Sequence, residues 1–313
     1  MLDTIAIFLI SFVALSKSAH WVLNATIRIA KHFNIAEFAA GYLLIAIATS
    51  VPDFMVSVTA SYFGNGGIAM GDVIGSSIAN ICLVLGIAAI IHEIKVQRKH
   101  TMESAELLLL ISIIPLILLS RGTISRIEGL LLILIFLIYC LFVVKERFTL
   151  RLSEGVSRIE WTRSVIYLIF GMIIVILSSR FVVNSGEQIA RYIGVSDALI
   201  GMTIIALGTT LPELAIDFTA IRRGHIALAI GDILGSCVVN LTLVLGAAAI
   251  INPLGDGFTM FTTAIAFLLG VNFFLWYVFT KHEGISKTHG LIFVLTYIFF
   301  IMIEMALGIV KVG

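Results

Sequence analysis

The chain has 313 residues, of which 60% are apolar and 12% charged, with a mean hydropathy of +1.12. A soluble domain carries roughly 45–50% apolar and 25% charged residues, so this composition describes an integral membrane protein. Twenty Lys and Arg nearly cancel nineteen Asp and Glu, which leaves no basic surplus for nucleic acid and no acidic tail. Cys82, Cys140 and Cys237 lie inside apolar runs without metal-ligand or redox spacing, which argues against a disulfide framework, a zinc site or a redox pair.

A membrane-crossing helix needs about 20 apolar residues. Counted in that unit, the chain is predicted to be an all-α membrane protein of ten spans: 4–27, 39–63, 67–91, 105–120, 128–144, 164–189, 198–221, 226–251, 258–280 and 289–310. The first span follows Met-Leu-Asp, with no positive n-region and no small-residue cleavage site, and so reads as a helix of the mature chain rather than a signal peptide. The longest polar interruption, Lys145 to Arg163, is too short for a folded soluble domain. Fourteen of the twenty basic residues fall on one side of the membrane, including Arg28, Lys31, Lys95, Arg98, Lys99, Arg222, Arg223, Lys281, Lys287 and those of the 145–163 linker. Cytoplasmic loops are enriched in Lys and Arg, so this side is expected to be cytoplasmic, with both termini extracellular and the chain in the plasma membrane.

Sliding the chain against itself aligns 41–86 with 201–246 at an offset of 160 residues without a gap, with 18 of 46 positions identical. The identities include Thr49/Thr209, Pro52/Pro212, Asp72/Asp232, Gly75/Gly235, Ser76/Ser236 and Asn80/Asn240, which shared apolar composition would not align. An odd number of spans separates the copies, so equivalent helices cross in opposite directions. The expected organisation is a five-helix repeat over 1–144, a cytoplasmic linker over 145–163 and a second five-helix repeat over 164–313 with inverted topology, an architecture of secondary transporters.

Polar residues at mid-membrane are costly and point to function. Thr49-Ser50-Val51-Pro52-Asp53 and Thr209-Thr210-Leu211-Pro212-Glu213 sit near the middle of the second and seventh spans, and these hold two of the chain's four prolines. Proline lacks an N–H and clashes with the preceding turn, so carbonyls from Ala46 to Thr49 and from Ala206 to Thr209 can be freed beside hydroxyls and a carboxylate, a ligand set for a hard cation. Asp72, Ser76 and Asn80, like Asp232, Ser236 and Asn240, recur at i, i+4, i+8; each trio lies on one helical face, expected to meet the broken helix. The carboxylates of Asp53 and Glu213 would balance a divalent ion, and the oxygen-only chemistry points to Na⁺, Ca²⁺ or Mg²⁺. Several polar residues have plainer roles open to them. Ser50, Ser76, Thr210 and Ser236 can bond back to their own helices; Asp72 and Asp232 can bind a proton, gate access or bond across helices; Asp217, one turn after Glu213, stands where the first repeat has Ser57. Lys17, His20 and Arg180 are expected to snorkel or pair with acids, and Glu106 and Glu304 to face water or headgroups.

These motifs, ATSVPD…GDVIGSSIAN and LGTTLPE…GDILGSCVVN, resemble the sodium/calcium exchanger family of the cation/calcium exchanger superfamily, in its compact prokaryotic type. The resemblance implies a core of middle helices with one Ca²⁺ site and several Na⁺ sites. By motif position it implies Ca²⁺ binding by Asp53 and Glu213 with the carbonyls of Thr49 and Thr209. It also implies Na⁺ ligation by Ala46, Ser50 and Ser76 on one side and by Ala206, Thr210 and Ser236 on the other, with Asn80 and Asn240 in the centre, and first and sixth helices that slide over the core. Ions are the only ligands it implies, with no cofactor and no obligate protein partner. The chain departs from the family pattern at Asp53, where Glu is common, at Asp72 and Asp232, where relatives have Asn, and at Ala48, where Gly is usual. Asn240 stands where potassium-dependent relatives carry Asp and leans against K⁺ co-transport. The leading expectation is a Na⁺-driven Ca²⁺ antiporter; a proton-coupled exchanger of Ca²⁺ or another divalent ion is the alternative raised by Asp72 and Asp232. A channel or a membrane enzyme is disfavoured by the inverted repeat and by the absence of a nucleophile, base and oxyanion arrangement.

Overall fold

The computed structural model describes residues 2–32, 37–64, 66–95, 98–119, 122–147, 158–192, 206–255, 258–282 and 284–312. The chain is mostly helical. The helices are α1 (Leu2–His32), α2 (37–49), α3 (Val51–Tyr62), α4 (Gly66–Ile91), α5 (Arg98–Leu119) and α6 (Arg126–Arg147), then α7 (Arg158–Tyr192), α8 (Ala206–Arg222), α9 (Ile226–Ile251), α10 (Phe258–Lys281) and α11 (Lys287–Val312). Among the described residues seven of them, α1, α4, α6, α7, α9, α10 and α11, are long and apolar enough to cross a membrane, and the pair α2 and α3, broken at Ser50, makes an eighth if it is one span; α5, over the expected fourth span 105–120, is not among them. The expected seventh span, 198–221, lies outside the described residues up to 205, and its described part, α8, has 17 residues.

Three helices depart from α-geometry. Residues Ala40–Ile45 of α2, Asn80–Leu85 of α4 and Asn240–Val244 of α9 form π-helical turns. The α-helical stretches that precede the last two, Gly66–Ala79 and Ile226–Val239, coincide at the repeat offset, and both π-turns open on the asparagine of the polar row. A π-turn adds a residue to the turn and changes the face on which later side chains fall.

The chain forms two compact units. The first comprises 1–49 and 143–232 and the second 50–142 and 233–313, so each draws on both sequence repeats. In the first unit the long helices α1 and α7 pack together and rest on α8. They approach closely at Gly171, where a Cβ would come within 2.8 Å of Val22 Cγ2. Helix α2 meets the start of α9 through two glycines: a Cβ on Gly41 would run into the carbonyl of Leu228, and one on Gly231 into the carbonyl of Phe38. In the second unit α3 packs on α4 and on the last turns of α9, α5 packs on α10, and α11 packs on α4. A short antiparallel ribbon, β1 (Ile94–Lys95) and β2 (Gly284–Ile285), pairs Ile94 with Ile285, and an isolated bridge joins Ile124 to Leu254.

Burial sorts the helices by role. Of the apolar windows of α4 and α9, 72% and 83% of residues are buried inside the protein, against 28% for α1 and α6 and 29% for α7. Lipid tails are as apolar as leucine, so an outward Leu or Phe costs nothing in a bilayer, and small and polar residues take the interior. The two helices that carry the matched Asp-Ser-Asn rows are therefore interior ones.

Candidate functional site

The second unit builds its polar cluster around Asp53, in the first turn of α3 and fully buried. The helix breaks at Ser50, two residues before Pro52, and restarts with the Phe54 N–H donating to the Ser50 carbonyl at 2.9 Å. Ser76 Oγ donates to Asp53 Oδ1 at 3.2 Å and Asn240 Nδ2 to Asp53 Oδ2 at 3.0 Å. The carboxylate of the first repeat thus accepts from its own repeat and from the second. Further along the same face, Ser57 Oγ donates to Asp72 Oδ2 at 2.7 Å, so the row on α4 meets the helix after the proline as the i, i+4 spacing predicts. Asn80 and Ser50 are also buried, and the Asn80 amide atoms, Ser50 Oγ and Asn240 Oδ1 have no hydrogen-bond partner among the described residues. A buried amide or hydroxyl left without a partner costs about 1–3 kcal/mol; a cation satisfies the oxygens in such a set. Ser236 is buried in α9.

The first unit builds a more acidic cluster. Thr49 Oγ1 has three acceptors for its single proton: the carbonyls of Ile45 at 3.1 Å and Ala46 at 3.3 Å, and Asp232 Oδ1 at 3.3 Å. Thr210, Glu213 and Asp217 lie on α8 and are buried, as is Asp232 on α9. The Asp217 carboxyl lies within electrostatic reach of both Asp232 and Glu213. Like charges held together out of water repel strongly, so Asp217 adds to the cost of charging its two acidic neighbours. Asp217, which the sequence singles out only as a departure from Ser57, is the residue whose part in the cluster spacing alone does not reveal. Ala206 and Thr209 fall in the first turn of α8, and their side chains lie outside the described residues.

Among the described residues no three His, Cys, Asp or Glu side chains form a metal-ligating group. The oxygens on offer are those of hydroxyls, amides and single carboxylates, a set suited to a hard ion that must leave again. Of the other intramembrane ionisable residues, Lys17, His20 and Arg180 are exposed on α1 and α7, and Glu106, also exposed, accepts from Trp276 Nε1 at 3.3 Å, whereas Glu304, expected to face water or headgroups, is half-buried with its Oε1 enclosed.

A polytopic helical membrane protein with a buried, oxygen-rich polar core at repeat-matched positions defines a class, that of the secondary transporters. The comparisons with known proteins narrow it. Residues 4–145 and 163–306 match the family described as sodium/calcium exchanger protein, and the chain belongs to that family. It is 31% identical over 300 residues to an uncharacterized membrane protein of Methanocaldococcus jannaschii, covering 93% of this chain and 94% of the relative. The sodium/calcium exchanger MaX1 of Methanosarcina acetivorans is 25% identical over 341 residues, covering 95% and 97%. Among solved structures, the sodium-calcium exchanger NCX_Mj soaked with Na⁺ superposes with a TM-score of 0.86 at 30% identity, covering 96% of this chain and 98% of that one. The same exchanger soaked with Na⁺ and Ca²⁺ superposes at 0.85.

Proposed function

We propose that this protein is a Na⁺-driven Ca²⁺ antiporter of ten spans in two inverted five-helix repeats, working by alternating access with no cofactor and no catalytic chemistry. The observation that carries the reading is the buried carboxylate Asp53, held by Ser76 and by Asn240 from opposite repeats, in a chain of the sodium/calcium exchanger family. Asp53 and Glu213 supply the charge that balances Ca²⁺, with the carbonyls of Thr49 and Thr209. Ala46, Ser50 and Ser76, and Ala206, Thr210 and Ser236, serve Na⁺, with Asn80 and Asn240 central. Coupling follows from electroneutrality: the same carboxylates are neutralised by one Ca²⁺ or by Na⁺ ions, so occupancy by one species excludes the other. The arginine-rich side faces the cytoplasm and both termini lie outside.

The acidic trio Asp217, Asp232 and Glu213 favours a second reading, in which protons replace Na⁺ as the driving ion. One experiment separates the two. Purified protein in vesicles loaded with Na⁺ is diluted into Na⁺-free buffer with radiolabelled Ca²⁺, and a parallel set replaces the Na⁺ gradient with a pH gradient. Uptake that requires internal Na⁺ supports the antiporter as proposed; uptake driven by the pH gradient alone assigns the drive to protons; leak that neither gradient changes contradicts both.

A further inference from the structure

Away from the ion-handling core, the first unit carries a basic cleft between α1 and α7. It has a volume of about 440 Å³ and is lined by Trp21, Asn24, Arg28, Arg163 and Tyr167 among others, with no carboxylate among the described residues that line it. The Arg163 guanidinium lies over the Tyr167 ring, 5.6 Å from its centroid, and its Nη2 donates to the Tyr167 hydroxyl at 3.3 Å. Arg28 is exposed and has no hydrogen bond or ion pair among the described residues. A third guanidinium stands at the wall, where Arg223 Nη1 donates to Asn24 Oδ1 at 2.6 Å. A close approach of α1 and α7 lies elsewhere, at Gly171 and Val22, so that contact does not need these guanidinium groups.

The depth of the cleft identifies its ligand. The apolar stretch of α7 begins at Thr162, so Arg163 stands where the span leaves the hydrocarbon. Trp21 and Tyr167 are 48% and 41% exposed, and such rings settle at the headgroup level. Deeper along α7, Ile166 and Phe170 are exposed and present an apolar surface for acyl chains. Guanidinium groups bind phosphate oxygens through paired N–H donors, and basic pockets between transmembrane helices fit lipid headgroups. We propose that this cleft binds the phosphate headgroup of an anionic phospholipid, which bridges Arg28 of α1 to Arg163 of α7 and ties the two helices together at their arginine-rich ends.

Native mass spectrometry of the full-length protein titrated with phosphatidylglycerol tests the site, with thermal unfolding as a second readout, since a ligand that binds only the folded state raises its melting temperature. The wild type should retain one more phosphatidylglycerol than R28Q/R163Q and show a lipid-dependent rise in melting temperature that this variant lacks. R28K/R163K, which keeps the charge, should recover part of both, which separates loss of the site from loss of the fold. K281Q/K287Q, with the same charge change flanking β2, should behave as wild type, and phosphatidylcholine should have no effect. Equal retention by R28Q/R163Q and wild type, or an equal loss in K281Q/K287Q, would overturn the proposal. So would inorganic phosphate alone reproducing the thermal shift, because the site would then belong to a free anion.

Discussion

Ser57 and Asp217 occupy matched positions 160 residues apart and face opposite situations. In the second unit Ser57 gives Asp72 a hydroxyl donor at 2.7 Å, and Asp53 nearby has two donors of its own. In the first unit Asp217 brings a further carboxyl to Asp232 and Glu213. Duplication has set both groups at equivalent places on equivalent helices, while single side chains decide whether a buried acid meets a donor or another acid. Neutral donors offset part of the cost of a buried carboxylate, whereas neighbouring acids add to it. The first unit is therefore the half in which buried acids face one another.

The largest effect should come from removing either matched acid. Asp53→Asn and Glu213→Gln should each lower Na⁺-dependent Ca²⁺ uptake in vesicles by more than about 100-fold, since loss of even an indirect ligand partner costs 10–100-fold; if one variant kept near-normal flux, the two halves would not contribute as equals to one ion. Next, Asn240→Leu strips Asp53 of its cross-repeat donor, and apparent Ca²⁺ affinity in the same assay should weaken by about 10-fold. The asymmetry itself is addressed by Asp217→Ser, which gives the first unit the side chain of the second. Apparent Ca²⁺ affinity should fall several-fold with the maximal rate largely kept, whereas Ser57→Asp, by setting a second acid against Asp72, should make uptake more dependent on pH. Smallest of these is Ser61→Ala on α3. Its hydroxyl donates to the Ala248 carbonyl at 2.6 Å, and its loss should lower stability by about 1 kcal/mol in thermal unfolding while leaving ion affinity unchanged.

Much of this was legible in the residues. Hydropathy located eight of the ten expected spans among the described residues, and Pro52 marked the break that the structure has at Ser50, whereas the matched Pro212 lies inside the continuous helix α8. The i, i+4 row of Asp72 and Ser76 does meet the helix that follows that proline. The π-turns at 40–45, 80–85 and 240–244 left no trace in hydropathy, because an extra residue in a turn changes the facing of side chains and not their composition; the asparagine opening two of them was the available clue. The bond from Asn240 to Asp53 was equally hidden, since it joins residues 187 apart in the chain. So was the way each compact unit takes segments from both repeats. Local periodicity reports which face of a helix is polar and is silent on which distant helix that face will meet.

The most direct test of the central claim is equilibrium Ca²⁺ binding to the purified protein, titrated against Na⁺ in the wild type, Asp53→Asn and Glu213→Gln. The account predicts that Na⁺ displaces Ca²⁺ competitively from the wild type and that neither variant binds Ca²⁺ in the same range. Ca²⁺ binding that is indifferent to Na⁺, or that survives the loss of either carboxylate, would contradict it.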